Sequence, residues 1–290
     1  MLFGSVCRFN SHFDFMKIIF QLGGVAYESD PNEGAPIAIP LDFDGPQPNH
    51  FGAPKARQAA LELGGFIGDT RKGGSCNVET LTFVPHCNGT HTESIGHIVN
   101  EDVFVGHQGK QAFLTASLLT LQPVLWGEQA DRVDSYRPAL DASDWVIDRA
   151  MLEQAASELS LASTDALIIR TATSIPKRTV AYGEDNPPAF FTVEAMQWIV
   201  EQDFRHLLVD LPSVDRMYDD GLLTNHHLFW FVPEGSHELH ADSRQDKTIT
   251  EMVLVPEHLE DGLYLLNLQI PALCTDAVPS KPVLYPTRKA

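Results

Sequence analysis

Apolar positions along the chain fall into short runs separated by turn residues. Thr80-Leu81-Thr82-Phe83-Val84 alternates and predicts a strand ending at Pro85-His86. Ala166-Leu167-Ile168-Ile169 and Leu207-Leu208-Val209 are continuously apolar, the pattern of strands buried on both faces. Thr192 to Gln202 lies between them with helical spacing, so strand, helix and strand follow in the order a parallel crossover needs. After the apolar step Val146-Ile147, Asp148 can cap a helix that carries Met151, Leu152, Ala155 and Leu159 on one face. Thr248 to Val255 alternates and puts Ile249, Glu251, Val253 and Val255 together. Tyr264 to Ile270 predicts a further strand, entered through the Asp261-Gly262 turn. Residues 16–60 read as loop-rich, with a short extended piece from Ala38 to Phe43. These elements predict an α/β fold: one domain over 16–290 with a mixed central β-sheet flanked by helices. Residues 1–15 read as an N-terminal extension or a mis-called start, because Met16 opens a more ordinary segment.

Composition narrows the partners. Of 290 residues, 43% are hydrophobic and 20% charged, which excludes a disordered or fibrous chain. The formal net charge is −19, which repels phosphate backbones and makes nucleic acid an unexpected partner. Bound divalent cations would offset part of that charge. No apolar run reaches the length of a membrane span, and the first residues lack a basic segment followed by a continuous apolar one. The expectation is therefore a cytoplasmic protein without a membrane partner. The chain has 4 Cys and no C-x-x-C pair, so no disulfide framework is expected; Cys7, Cys76 and Cys274 read as structural.

The chemistry concentrates in residues 85–98, PHCNGTHTESIGHI. His86, His91, Glu93 and His97 fall within one short stretch. On an extended segment His91 and Glu93 share a face. His86 has the wrong parity for that face, but a bend at Asn88-Gly89 can bring it round. Any one of these histidines is better explained by an ordinary turn hydrogen bond. Together, imidazole and carboxylate donors converging in this way suit Zn²⁺ or Mn²⁺. His97 can face the same site without being a ligand. Glu251 has its own warrant, because a carboxylate on an apolar strand face needs a partner, a metal or water at a sheet edge.

This run resembles the metal-binding motif of the cyclase family of metal-dependent hydrolases, which includes bacterial kynurenine formamidase and isatin hydrolase. The family pattern is roughly H-x-G-T-H-x-D-x-P-x-H. Here it reads His86, Gly89-Thr90-His91, Glu93 and His97, with one extra residue before Gly89, Glu in place of Asp, and Gly96 without the usual Pro. Asp210-Leu-Pro-Ser-Val-Asp215, Asn225-His226-His227, Glu251 in TITEMVLV, DGLYLL and PSKPVLYP resemble further family segments in the same order. PLDFDGPQPNHFG, GGSCN and the Phe-Trp after His227 mark a divergent branch. The resemblance implies a swivelling β/β/α type of fold and assembly as a homodimer or higher homo-oligomer. It implies one or two divalent metals per chain, Zn or Mn. His86, His91 and Glu93 would hold one, and His226 with Glu251 would complete a second. The segment after His226 is longer than in the family and contains His237 and His240, so these and His227 stay open as alternatives.

The expected reaction is hydrolysis of an amide-type C–N bond of a small metabolite by metal-activated water, with His97 carrying the proton to the leaving nitrogen. The alternatives are dehydration or cyclisation of a polar metabolite at the same site, or a non-catalytic small-molecule-binding protein. Asp210 and Asp215 read first as strand-end turn residues. Ser213 lacks a nucleophile-elbow context. Cys87 reads as a small neighbour turned away from the metals. Among the aromatic residues Phe104, Trp126, Phe229 and Trp230, only Trp230 is expected as a pocket wall, from its closeness to His226.

Overall fold

The apolar runs at Ala166 and Leu207 become adjacent central strands of one large sheet. The computed structural model describes residues 16–108, 112–129, 133–159 and 163–290, so the expected extension at 1–15 lies outside the described residues. Among the described residues, nine strands join in that sheet. They are β1 (Ala35–Pro36), β2 (His91–Ser94), β3 (Leu114–Leu121), β4 (Ala166–Thr171), β5 (His206–Val209), β6 (Thr248–Glu251), β7 (Gly262–Asn267), β8 (Ala277–Pro279) and β9 (Val283–Pro286). Their order is β8-β2-β6-β5-β4-β3-β7-β9-β1. Strands β3, β4, β5 and β6 run parallel; the flanking pairings are antiparallel. The sheet is mixed, as the pattern predicts.

Four helices accompany it among the described residues: α1 (Pro85–Asn88), α2 (Arg149–Leu159), α3 (Val193–Glu201) and α4 (Thr224–Trp230). Asp148 accepts the Met151 N–H at 3.0 Å and so caps α2. Thr192 caps α3 through the Ala195 N–H, 3.2 Å away. Helix α3 connects β4 to β5, the expected parallel crossover. Alternation along the strands divides the core in two. Leu119, Leu167, Ile169, Leu207, Val209 and Ile249 pack against Leu152, Met196, Ile199, Phe229 and Trp230 of the helices. Leu118, Ala166, Ile168 and Leu208 face the other way, toward Ile37, Val253, Leu266 and Leu284. No helix among the described residues is long and apolar enough to cross a membrane.

Several elements differ from the sequence reading. The strand at Thr80–Val84 is Glu79–Thr82, paired with Arg57–Ala60 in an exposed ribbon, and the chain turns into α1 rather than stopping at Pro85. The strand from Thr248 ends at Glu251, because Met252 has φ 56°. That left-handed residue reverses the alternation. Ile249 packs on the helix side, whereas Val253 and Val255 belong to the opposite core, so the four residues do not share one face. Strand β7 stops at Asn267, short of Ile270. The segment around His226 is helix α4, so neighbouring side chains there diverge by a helical step.

Candidate metal centre

Strand β6 ends at Glu251, on the carboxyl side of the parallel strands, and antiparallel β2 begins beside it. The register sets His91 opposite Glu251 and Glu93 opposite Ile249. His91, Glu93 and Glu251 therefore project from one face. On the reverse face, Thr92 Oγ1 lies 2.8 Å from both Thr250 Oγ1 and Ser280 Oγ. This buried hydroxyl chain ties β2, β6 and the end of β8 together behind the carboxylates.

His86 arrives by a different route from the expected Asn-Gly bend. Residues Pro85–Asn88 form one helical turn, with proline at its start, and Gly89 leaves it in extended conformation. Asn88 locks the turn: its Oδ1 accepts the Val84 N–H at 2.6 Å and its Nδ2 donates to Pro54 O at 3.1 Å. His86 Nδ1 then lies 3.0 Å from Glu93 Oε2. Helix α4 supplies His226, whose Nε2 is 3.0 Å from Glu93 Oε1 and 3.8 Å from Glu251 Oε1. The structure thus brings together His86, His91, Glu93, His226 and Glu251. His97 joins them, stacked on His86 with ring centroids 4.2 Å apart and 5.4 Å from His226.

The buried charges of this cluster act on one another. Burial raises the Glu93 pKa, but the charges of His97 and His226 hold it well below the usual carboxylate range. Burial disfavours the charged form of His226, yet Glu93 and Asp215 raise it well above an ordinary imidazole. For His86 burial again opposes protonation, and Asp276 with Glu93 overrides it, raising the ring to about 10.

The donor set fits a divalent cation. His91 Nδ1 is 2.9 Å from Gly89 O. A neutral ring that donates Nδ1–H there leaves a lone pair on Nε2. That atom is buried without a hydrogen bond and faces Glu251 Oε2 at 3.4 Å. Buried acceptors opposed in this way are unfavourable unless a cation lies between them. Ligand atoms of His91, Glu93 and Glu251 lie within 4.8 Å of one another, as do those of His86, Glu93 and His97, so Glu93 is common to both groups.

The alternative histidines stay outside. His227 Nδ1 faces Val232 O at 3.1 Å, His237 Nδ1 faces Ile98 O at 2.9 Å, and His240 is exposed. Trp230 does lie beside His226, with ring centroids 5.5 Å apart, but it is fully buried and donates Nε1–H to Lys247 O. It is core, as is Phe229, and not a pocket wall. Cys87 is buried, and burial pushes its thiol pKa up. Cys76 and Cys274 are exposed free thiols, contrary to a packing role. Asp210 pairs with Lys177 and accepts from Thr171, away from the histidines.

Three further residues carry the site. Asp215, read first as a turn residue, accepts from His226 Nδ1 at 2.6 Å, from the Asn225 and His226 backbone N–H groups, and from Tyr136 OH at 2.7 Å. It fixes both the start of α4 and the orientation of His226. Asp276 Oδ2 lies 2.8 Å from His86 Nε2 and 3.5 Å from His97 Nδ1. No local signal marks it, because it is 190 residues from His86. His50 donates its backbone N–H to Cys87 O inside the motif turn, and both its ring nitrogens are buried without partners. Burial, reinforced by His91, pushes its pKa down to about 3 and keeps it neutral.

Against known proteins, residues 27–216 match the Cyclase family model, described as "Putative cyclase". No curated protein matches the chain in sequence. Among solved structures, a protein described as a predicted metal-dependent hydrolase from Bacillus stearothermophilus is 15% identical, with TM-score 0.53 over 87% of this chain and 97% of that one. Isatin hydrolase A from Labrenzia aggregata, bound to benzyl benzoate, is 14% identical, with TM-score 0.57 over 87% and 93%. An isatin hydrolase bound to the product analogue thioisatinate is 12% identical, with TM-score 0.59 over 88% and 93%. At these identities the likeness is one of fold.

Proposed function

The chain belongs to the Cyclase family, and from that premise we propose that it is a metal-dependent hydrolase cleaving an amide-type C–N bond of a small metabolite. The observation that carries the reading is the buried His91–Glu251 contact, where an imidazole nitrogen without a hydrogen bond faces a carboxylate oxygen at 3.4 Å. His86, His91, Glu93, His226 and Glu251 would hold the metal, one ion or two sharing Glu93, with Zn or Mn suited to the donors. A divalent ion held there supplies Lewis acidity, which polarises an acyl oxygen and acidifies water.

The chain's own groups do the rest. His97 is partly exposed, with its Nδ1 toward Asp276, which leaves Nε2 to exchange a proton with the substrate. It takes the proton of the attacking water and gives it to the leaving nitrogen, a transfer that imidazole suits. Asp215 holds the His226 ring in place through Nδ1. The hydroxyl chain behind β2 keeps Glu93 and Glu251 in register across the strands.

Two of the similar structures are isatin hydrolases, which puts lactams beside formamides at the head of a substrate panel. Protein loaded with Zn or Mn is assayed against formamides, lactams and hydroxy acids. Stoichiometric release of acid from an amide or lactam supports the proposal. Dehydration of hydroxy acids alone, or ligand binding without turnover, contradicts it.

A further inference from the structure

We propose that Asp276 is a positioning residue that sets the proton placement of His86 and His97 together, and through them metal affinity and turnover. Strand β8 adds to the free edge of β2 with Ala277 opposite Glu93. The Ser94 N–H donates to Asp276 O at 3.0 Å, which pins the backbone just before that pairing. Thr275 Oγ1 donates to Asp276 Oδ1 at 3.0 Å, so that oxygen is taken. The other oxygen, Oδ2, meets both imidazoles, 2.8 Å from His86 Nε2 and 3.5 Å from His97 Nδ1. The two rings stack with centroids 4.2 Å apart and planes 27° from parallel.

The consequence follows from the two nitrogens of each ring. A neutral ring that commits its N–H to a carboxylate presents a lone pair on the other nitrogen. For His86 the committed atom is Nε2, so Nδ1, the atom beside Glu93, is the one whose proton a divalent ion would displace. For His97 the committed atom is Nδ1, so Nε2 becomes the base. One carboxylate oxygen thereby prepares a ligand and a proton carrier at once. As a bare ion pair Asp276 would matter little, because its side chain is 36% exposed. Fixing which nitrogen carries the proton does not depend on the strength of that pair. Asp276 acts through the two histidines and needs no contact with substrate.

The inference rests on the metal-centre reading, and its test separates the two. Zn²⁺ and Mn²⁺ affinities are measured by competition with a chromogenic chelator for the full chain and for Asp276→Ala, Asp276→Asn and Asp276→Glu. Circular dichroism checks the fold, and kcat and KM are measured on any amide the parent hydrolyses. Asp276→Ala is expected to bind metal about 10–100-fold more weakly, as outer partners of ligating histidines do. Its kcat should fall while KM stays within about twofold, and Asp276→Glu should recover part of both losses. If Asp276→Ala does not fold, the equal-sized Asp276→Asn carries the same test with an intermediate loss. Variants with parental affinity and kcat overturn the proposal. So does a loss of fold in every variant with no change of affinity in those that refold. A parent that binds neither ion overturns this inference and the metal centre together. A parent that binds metal without hydrolysing amides overturns only the reaction, and the affinities alone then decide the role of Asp276.

Discussion

His91 and Glu251 face each other from neighbouring antiparallel strands, Nε2 to Oε2 at 3.4 Å, with the imidazole's other nitrogen engaged by Gly89 O. A neutral imidazole there sets two acceptors against each other in a buried place. Glu251→Gln should therefore stabilise the metal-free protein, because the new amide can donate to His91 Nε2 while its carbonyl keeps the Val214 N–H now held by Oε1. The gain is about 1 kcal/mol, or a rise in Tm of about 2–4 °C in the presence of chelator. The same variant should lose at least about tenfold in metal affinity, since a charged ligand is gone. Thermal unfolding with and without chelator reads both effects, and a lower Tm for the metal-free variant would argue against opposed lone pairs.

Asp215 gathers four donors from His226, Asn225 and Tyr136 in a fully buried position. Burial raises its pKa, and the His226 hydrogen bond and charge outweigh that and hold it below the usual carboxylate range. Asp215→Ala strands these donors beside a cationic ring. We expect a loss of about 3–5 kcal/mol in unfolding free energy by urea titration. A loss below about 1 kcal/mol would mean that the network is weaker than its geometry.

His97 and His91 should separate in function. His97→Ala is expected to retain metal and lose about 10²–10⁴-fold in turnover, the usual contribution of a proton carrier. His91→Ala should lose metal and turnover together. Elemental analysis alongside a rate assay distinguishes them. If His97→Ala strips the metal, His97 is a ligand in the group with His86 and Glu93.

Acid stability has a definite sign. His206 is buried on β5 with Nδ1 2.8 Å from Thr248 Oγ1. Burial, then the charge of Arg205, lowers its pKa from 6.5 to about 4. In that interval the unfolded chain binds the proton and the folded one does not, so stability falls as pH drops. The slope from this residue is at most about 1.4 kcal/mol per pH unit. Urea titrations across the interval should show a shallower slope for His206→Gln. His50, pushed to about 3, acts in the same direction and is left in place by that variant. Equal slopes would contradict the assignment.

The parallel centre and the motif were legible because their signals are local. Continuous apolar runs mark β4 and β5, and the spacing of His91 and Glu93 defines a face without reference to the rest of the chain. What could not be read lies in long-range or strained geometry. Asp276 reaches His86 from a strand added at the sheet edge far along the chain. Met252 at φ 56° breaks an alternation that its sequence continues without interruption. Helix α4 is short and bounded by Leu223 and Phe231, both left-handed, residues that give no helix-stop signal. Asp215 looks like any strand-end aspartate until α4 folds against it.

His86, His91, Glu93, His226 and Glu251 together form the proposed divalent-metal site. Elemental mass spectrometry of tag-free protein, purified without chelator and again after reconstitution, tests it most directly. We expect one or two equivalents of Zn or Mn per chain, lost together with either His91 or Glu251. A full-length, folded protein that retains no metal after reconstitution would contradict it and leave the fold as a small-molecule-binding module.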